Sequence, residues 1–215
     1  MPDPGSSELP IFELPLAIVP SEHVPLHVFE PRYRAMVASC LEGDQPFGIV
    51  FRDADGARAI GCTAHVRQVV ERYEDGRLDI IVRGGEPFRV LDRFEAAEWP
   101  AAQVQTMQGT DAEAAAGSED ELAAAREAFA ELLEAVGAEP ERAEGAPDAF
   151  AIAAQVELPG AEKHRLLEAD GEGARLVALT ASLRRVLRGI AHAREIGERA
   201  KSNGHRPGRI GPTSA

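Results

Sequence analysis

Near residue 110 the apolar pattern of this chain changes character, and that change limits its fold class more than any other feature. Before it, short β-branched and aromatic runs are punctuated by Pro and Gly. After it, apolar residues recur at three- and four-residue spacing. Strand-type patterning followed by helix-type patterning predicts an α+β protein with the two kinds of element segregated along the chain. The predicted division is a β-rich part over residues 1–110, a helical part over 118–200 and a disordered tail over 201–215. An Ala-, Glu- and Gly-rich linker is predicted over 111–117.

In the first part, Pro10, Pro15, Pro20 and Pro25 keep the opening strands short or at sheet edges, because Pro cannot donate to a ladder. Ile11–Leu14 and Val24–Phe29 are the expected pieces. Pro31 fits the first turn of a helix. Tyr33, Met36, Val37, Cys40 and Leu41 then form one apolar face, and Gly43 is expected to close the helix. Phe47–Phe51 reads as a buried strand, Asp55-Gly56 as a turn and Ile60–Val70 as β-rich. Asp75-Gly76 joins Val66–Tyr73 to Arg77–Val82 as a tight hairpin whose turn needs positive φ angles. Gly84-Gly85 is expected to break the second strand, with Pro87–Phe94 and Val104–Met107 as further strands. Six or seven short strands with one helix inserted early predict a strongly bent sheet or pseudo-barrel.

In the second part, Ser118-Glu-Asp-Glu121 is a capping box. Leu122, Ala125, Phe129, Leu132, Leu133 and Val136 follow as an apolar face, with Gly137 as the stop. Pro147 is expected to open a second helix with Phe150, Ala153 and Val156 inward. Ala161–Ala169 is a short third helix. Ala174–Glu198 is the last, its seam formed by Leu176, Leu179, Leu183, Val186 and Ile190. Too few heptads exist for a free coiled coil, so this seam is expected to pack on the neighbouring helices.

Charge and composition exclude several functions. The net charge of −13 opposes a general nucleic-acid binder. No stretch has the length of apolar sequence that a membrane-spanning helix needs. The opening residues carry no signal-peptide pattern. The two cysteines, Cys40 and Cys62, are too few for a disulfide framework and read as buried thiols. Together these features predict a reduced, cytoplasmic protein. The only lysines are Lys163 and Lys201, and neither stands in a phosphate-binding Gly-x-x-x-x-Gly-Lys-Ser/Thr context. Both lie among polar neighbours and read as solvated, which also argues against a Ser–Lys base.

Few residues suggest chemistry. His23 and His27 have a zinc-helix spacing, but Pro25 between them makes the segment extended and no third ligand is near. Cys40 lies on an apolar helix face, Ser182 and Ser202 have no adjacent base, and Gly84-Gly85 matches no phosphate loop. No catalytic residue, metal or cofactor is expected. Residues 111–172 carry 17 acidic and 4 basic side chains, whereas 173–215 carry 2 acidic and 9 basic. Arg184, Arg185, Arg188, Arg194 and Arg199 therefore read either as a strip for RNA or an acidic partner, or as internal partners of the acidic helix that starts at Glu119. Internal pairing is preferred, since the chain's overall negative field opposes phosphate. The stretch Pro25-Leu-His-Val-Phe-Glu-Pro-Arg-Tyr-Arg34 has two readings. Either Tyr33 joins the core while Arg32 and Arg34 pair locally, or the junction is an apolar-plus-Arg surface for extended polypeptide.

Leu9-Pro-Ile-Phe-Glu-Leu-Pro-Leu16 and Pro25–Arg34 resemble the opening of the N-terminal, substrate-binding domain of the Lon protease family. Ile60-Gly-Cys-Thr-Ala-His65, Asp75–Gly85 with Pro87-Phe-Arg-Val90, and Leu158-Pro-Gly-Ala-Glu-Lys-His-Arg-Leu-Leu-Glu168 continue the resemblance over roughly residues 8–195. The resemblance implies a PUA-like β pseudo-barrel with one inserted helix, followed by a C-terminal α-helical bundle. It implies a non-catalytic polypeptide-binding or adaptor protein whose partners are unfolded or tagged polypeptides or a partner protein. Phe29, Tyr33 and Arg34 stand at the matching strand–helix junction. Full-length members continue into ATPase and protease modules, and neither is recognisable in these 215 residues, so a stand-alone domain is expected. The alternative is a PUA-like nucleic-acid binder that uses the basic last helix and tail. A hydrolase with an unrecognised site is a third reading.

Overall fold

A computed structural model describes residues 6–96, 98–107 and 119–203. The β-rich half holds β1 (Ser6–Leu14), β2 (His23–Val28), α1 (Pro31–Gly43), β3 (Phe47–Asp53), β4 (Gly56–Arg72), β5 (Leu78–Glu95) and β6 (Pro100–Thr106). The helical half holds α2 (Glu119–Val136), a 3-10 turn (Pro140–Ala143), α3 (Ala149–Ala153), α4 (Gly160–Glu168) and α5 (Gly171–Asn203). This is the expected α+β order. The predicted linker at 111–117 lies outside the described residues. So does Ser118 of the expected capping box.

Five of the six strands close on themselves. β1 runs parallel to β3, with Ile11 opposite Gly48, and antiparallel to β6. β3 pairs with β4, β4 with β5, and β5 with β6, all antiparallel. Those five strands make the pseudo-barrel. β2 is added outside the ring, antiparallel to Leu78–Arg83 of β5. The β5 strand therefore divides one edge between two partners, β2 along its first part and β6 along its second.

Gly84 and Gly85 make that division possible, and here the sequence expectation needs correcting. The two glycines do not end a strand; β5 runs through them for 18 residues. A Cβ on Gly84 would run into the Val19 carbonyl, and one on Gly85 into the Thr63 hydroxyl. The Val19–Glu22 turn is laid against this point: Ser21 N–H donates to the Gly84 carbonyl (2.9 Å) and Gly84 N–H to the Glu22 carbonyl (2.8 Å). Ser21 there adopts a φ of 65°. The glycines thus mark a close backbone approach inside one bent strand.

Two turns also differ from expectation. In the β4–β5 hairpin only Gly76 has a positive φ (84°). Gly76 N–H donates to the Tyr73 carbonyl and Tyr73 N–H to the Arg77 carbonyl. That is a three-residue loop with a left-handed glycine rather than a two-residue Asp-Gly turn. At the end of α1 the left-handed position is Asp44 (φ 48°), one residue beyond Gly43, and Gln45 N–H donates to the Cys40 carbonyl.

Inside the ring, Phe88 packs with Leu9, Ile11, Val50, Ala102 and Val104. The outer face carries Phe12, Phe47, Ile49, Ile80 and Val82 against the Tyr33, Met36, Val37 and Cys40 face of α1. The same apolar cluster continues without a break into Phe129, Leu132 and Leu133 of α2 and Leu176, Leu179 and Leu183 of α5. Burying such side chains supplies roughly 1.5–3 kcal/mol each before entropy is counted, so this shared core holds the halves together. Val136, expected inward, is exposed at the end of α2, and Gly137 (φ 76°) turns the chain. The second helix opens at Ala149, not Pro147: the Asp148 carboxylate accepts from Ala151 N–H at 2.7 Å. Ala153 and Val156 are buried as expected, together with Ala149 and Ile152, whereas Phe150 is half-exposed. α5 is longer than expected, reaching Asn203; residues 204–215 lie outside the described residues. No helix among the described residues is long and apolar enough to cross a membrane.

Candidate functional site

The junction of β2 and α1 separates its three predicted residues. Tyr33 is 4% exposed and packs against Phe12, the rings tilted with centroids 4.1 Å apart. Helical spacing puts it on the buried face with Met36, Val37 and Cys40, so it belongs to the core rather than to an exposed contact surface. Arg34 donates to the Asp75 carbonyl in the β4–β5 turn and so ties α1 to that hairpin. Arg32 pairs with Glu30 (3.1 Å) and lies over the Tyr33 ring. Phe29 is 59% exposed, the one large apolar side chain of the junction that faces solvent.

Phe29 does not stand alone. Its ring stacks on His27 at 5.9 Å, and His27 meets Tyr73 edge-on at 6.0 Å. Asp79 holds both partners, His27 Nδ1 at 2.6 Å and the Tyr73 hydroxyl at 2.7 Å. These two hydrogen bonds, that to His27 foremost, keep the Asp79 carboxyl below the usual range, and the same carboxylate pushes the Tyr73 phenol up. Arg77 covers the other end of the row, 4.9 Å from the Tyr73 ring. His27 and Asp79 face one another across the β2–β5 ladder. Phe29 and Arg34 are candidates from the sequence and His27 is one only as a metal ligand, whereas Tyr73 and Asp79 carry no sequence signal, because their meeting with His27 depends on strand register.

The remaining candidates do not converge. His23 and His27 are both exposed on β2, and among the described residues no group of three or more His, Cys, Asp or Glu could hold a metal ion. Burial pushes the Cys40 and Cys62 thiols up, away from the reactive thiolate. The Ser182 hydroxyl donates to Glu162 at 2.7 Å. Burial raises that carboxyl, but the bonds from Ser182 and Arg185 outweigh it and hold it below its ordinary value, which makes it a poor base. Among the described residues no arginine of α5 forms an ion pair with a carboxylate of α2. Arg185 binds Glu162 of α4 (2.6 Å), Arg194 the Ala135 carbonyl at the end of α2, and Arg199 its neighbour Glu195 (2.6 Å).

Lys163, which reads as solvated in the sequence, is buried. Its ammonium donates to the Glu22 carboxylate, and each residue is 7% exposed. The overlooked signal is spacing: Lys163 lies three and four residues before Leu166 and Leu167, on the inward face of α4. His164 beside it is also buried. Its Nδ1 is 3.3 Å from Glu168, its ring is 5.9 Å from that of Phe51, and burial holds its pKa below the ordinary value.

A groove of about 780 Å³ lies between the two halves. The barrel side supplies Gly85, Glu86, Pro87, Arg89 and Met107; the helical side supplies the first turns of α2, α3 and α5 and the end of α4. On its helical wall Arg175 donates to Glu172 (2.6 Å) and the Leu166 carbonyl (3.1 Å) and lies 4.3 Å over the Phe150 ring. Glu172 also accepts from Ala149 N–H at 2.7 Å. None of the sequence candidates marked this groove, because its walls come from segments far apart in the chain.

The family model described as the ATP-dependent protease La (LON) substrate-binding domain matches residues 8–185. Solved structures similar to the chain include the Lon N-terminal domain protein from Xanthomonas campestris, at 21% identity and a TM-score of 0.58, over 81% of this chain and 98% of that one. They also include the N-terminal domain of the Mycobacterium avium complex Lon protease, at 19% identity and a TM-score of 0.69, over 83% of this chain and 98% of that one. At these identities the structures establish the shared fold.

Proposed function

The chain belongs to the Lon substrate-binding domain family, and from that premise we propose that it is a non-catalytic protein that binds unfolded or partner polypeptide. The observation that carries the reading is the row of exposed Phe29 and His27 with half-buried Tyr73, held by Asp79 of β5 beside the outer strand β2. Aromatic side chains fixed on a rigid element lose little freedom when they bury against a partner, which is the character of contact hot spots. Phe29 supplies the apolar area, and Arg34 anchors α1 to the hairpin behind it. Among polypeptides, unfolded chains are favoured because they offer apolar side chains that folded proteins bury. A cytoplasmic setting is part of the same reading.

A nucleic-acid role has less support. Arg185 and Arg194 are spent on Glu162 and the Ala135 carbonyl, so the basic strip of α5 is narrower than its sequence suggests.

The test is retention of a chemically unfolded, fluorescently labelled model protein on the immobilised chain, with its folded form as control. Selective retention, weakened by Phe29→Ser, is expected. Retention no greater than on an unrelated acidic protein would overturn the reading.

A further inference from the structure

We propose that the groove between the barrel and the helices is the seat of an extended polypeptide segment that carries Arg or Lys beside apolar side chains. This rests on the polypeptide-binding reading above and adds to it a second surface and a preferred ligand chemistry.

Charge makes the first half of the case. Six carboxylates line the groove: Glu86, Glu119, Asp148, Glu168, Asp170 and Glu172. Two guanidinium groups oppose them, those of Arg89 and Arg175. Arg175 is already matched by Glu172. The first turns of α2 and α5 also reach the groove, each contributing roughly half a positive charge from its dipole. The carboxylates outnumber all of these together. Glu86, Glu119 and Asp170 make no ion pair among the described residues, so their charge is available to a ligand.

The floor makes the second half. Met107, Leu122 and Phe150, each partly exposed, give the groove an apolar floor between its charged groups, backed by the buried Leu167 and Leu176. A volume of about 780 Å³ far exceeds what a single ion or one side chain fills. A small polycation would satisfy the charged groups and leave the floor wet. An acidic polypeptide would fit the floor and be repelled by the charged groups. A chain that alternates basic and apolar residues meets both, because successive side chains of an extended strand point to opposite sides.

The test is fluorescence anisotropy with three labelled, unstructured peptides of equal length, alternating Arg/Leu, Ser/Leu and Glu/Leu. The Arg/Leu peptide is expected to bind tightest, and raising salt from about 50 mM to about 500 mM to remove most of its advantage. The triple variant Glu86→Gln, Glu119→Gln, Asp170→Asn should weaken Arg/Leu binding about tenfold and leave Ser/Leu binding unchanged, given a few-fold per partly exposed pair. Unchanged Ser/Leu binding also reports that the variant is folded. Equal binding of the three peptides, or an unchanged Arg/Leu affinity in the triple variant, overturns the groove assignment. So does displacement of the Arg/Leu peptide by spermine at equal charge, since the floor would then contribute nothing. Retention of unfolded protein without any peptide binding removes this inference alone. Loss of both removes the polypeptide-binding reading as well.

Discussion

Lys163 on α4 and Glu22 in the β1–β2 connection form an ion pair in which each side chain is 9% exposed. The pair spans the two halves of the molecule. Glu22 also closes its own turn: its other carboxylate oxygen accepts from Val19 N–H at 3.1 Å. One carboxylate therefore fixes a loop against Gly84 and receives the helical half.

Removing one partner of this pair leaves a buried charge without compensation. Lys163→Met is expected to destabilise the fold by about 3 kcal/mol or more, and the double variant Lys163→Met, Glu22→Gln to recover much of that loss. Urea unfolding of the two variants and the parent measures both. Equal stability of Lys163→Met and the parent would refute the assigned role.

Gly84 should not tolerate a side chain. A Cβ there would strike the Val19 carbonyl, which the surrounding turn holds in place. Gly84→Ala is expected to cost about 2 kcal/mol or more, a typical overpacking penalty, read as a lower urea midpoint. Gly145→Ala, where an added Cβ meets nothing, is the control and should have little effect.

Phe29 and Tyr33 should part company under mutation. Tyr33→Ala opens a hole beneath Phe12 and is expected to cost roughly 3–5 kcal/mol. Phe29→Ala removes a solvent-facing ring and should change stability by less than about 0.5 kcal/mol while weakening polypeptide retention. Thermal unfolding and the retention assay, run on both variants, separate the two roles.

Acid should weaken the fold through His164. Burial disfavours its charged form, so the unfolded chain binds its proton more readily than the folded one. Wherever the unfolded state holds more protons, stability rises with pH. Its contribution is complete above the ordinary value of about 6.5 and is lost as pH falls from there toward the depressed folded value. Glu168 nearby opposes the shift, while Arg58 reinforces it. Stability measured by urea between about pH 7 and pH 5 should therefore decline, and His164→Gln should flatten that decline. An identical slope in the variant would assign the acid sensitivity elsewhere.

Much of the local structure was legible before any coordinates. Pro31 and the Tyr33–Met36–Val37–Cys40 spacing dictate α1, and the Leu176–Leu179–Leu183 seam dictates the buried face of α5. These readings succeed because helical periodicity and proline geometry act within a few residues. The same locality explains the failures. Gly84-Gly85 looked like a break because its reason, the Val19 turn pressed against it, lies more than sixty positions away. Lys163 looked solvated because its immediate neighbours are polar, while its partner is Glu22.

The candidate sites divide in the same manner. Phe29 and Arg34 stood out locally, as an aromatic and a cation at a strand–helix junction. His27, Tyr73 and Asp79 became a unit only through the β2–β5 register, and the groove exists only because α2, α3, α4 and α5 are laid against the barrel. By itself the sequence determined the order and type of elements, most of the core and the family resemblance, since each follows from patterns of nearby residues. Only the tertiary structure decided which side chains are buried together, which charges find partners and where a concave surface opens, because those depend on contacts between segments that chain spacing does not encode.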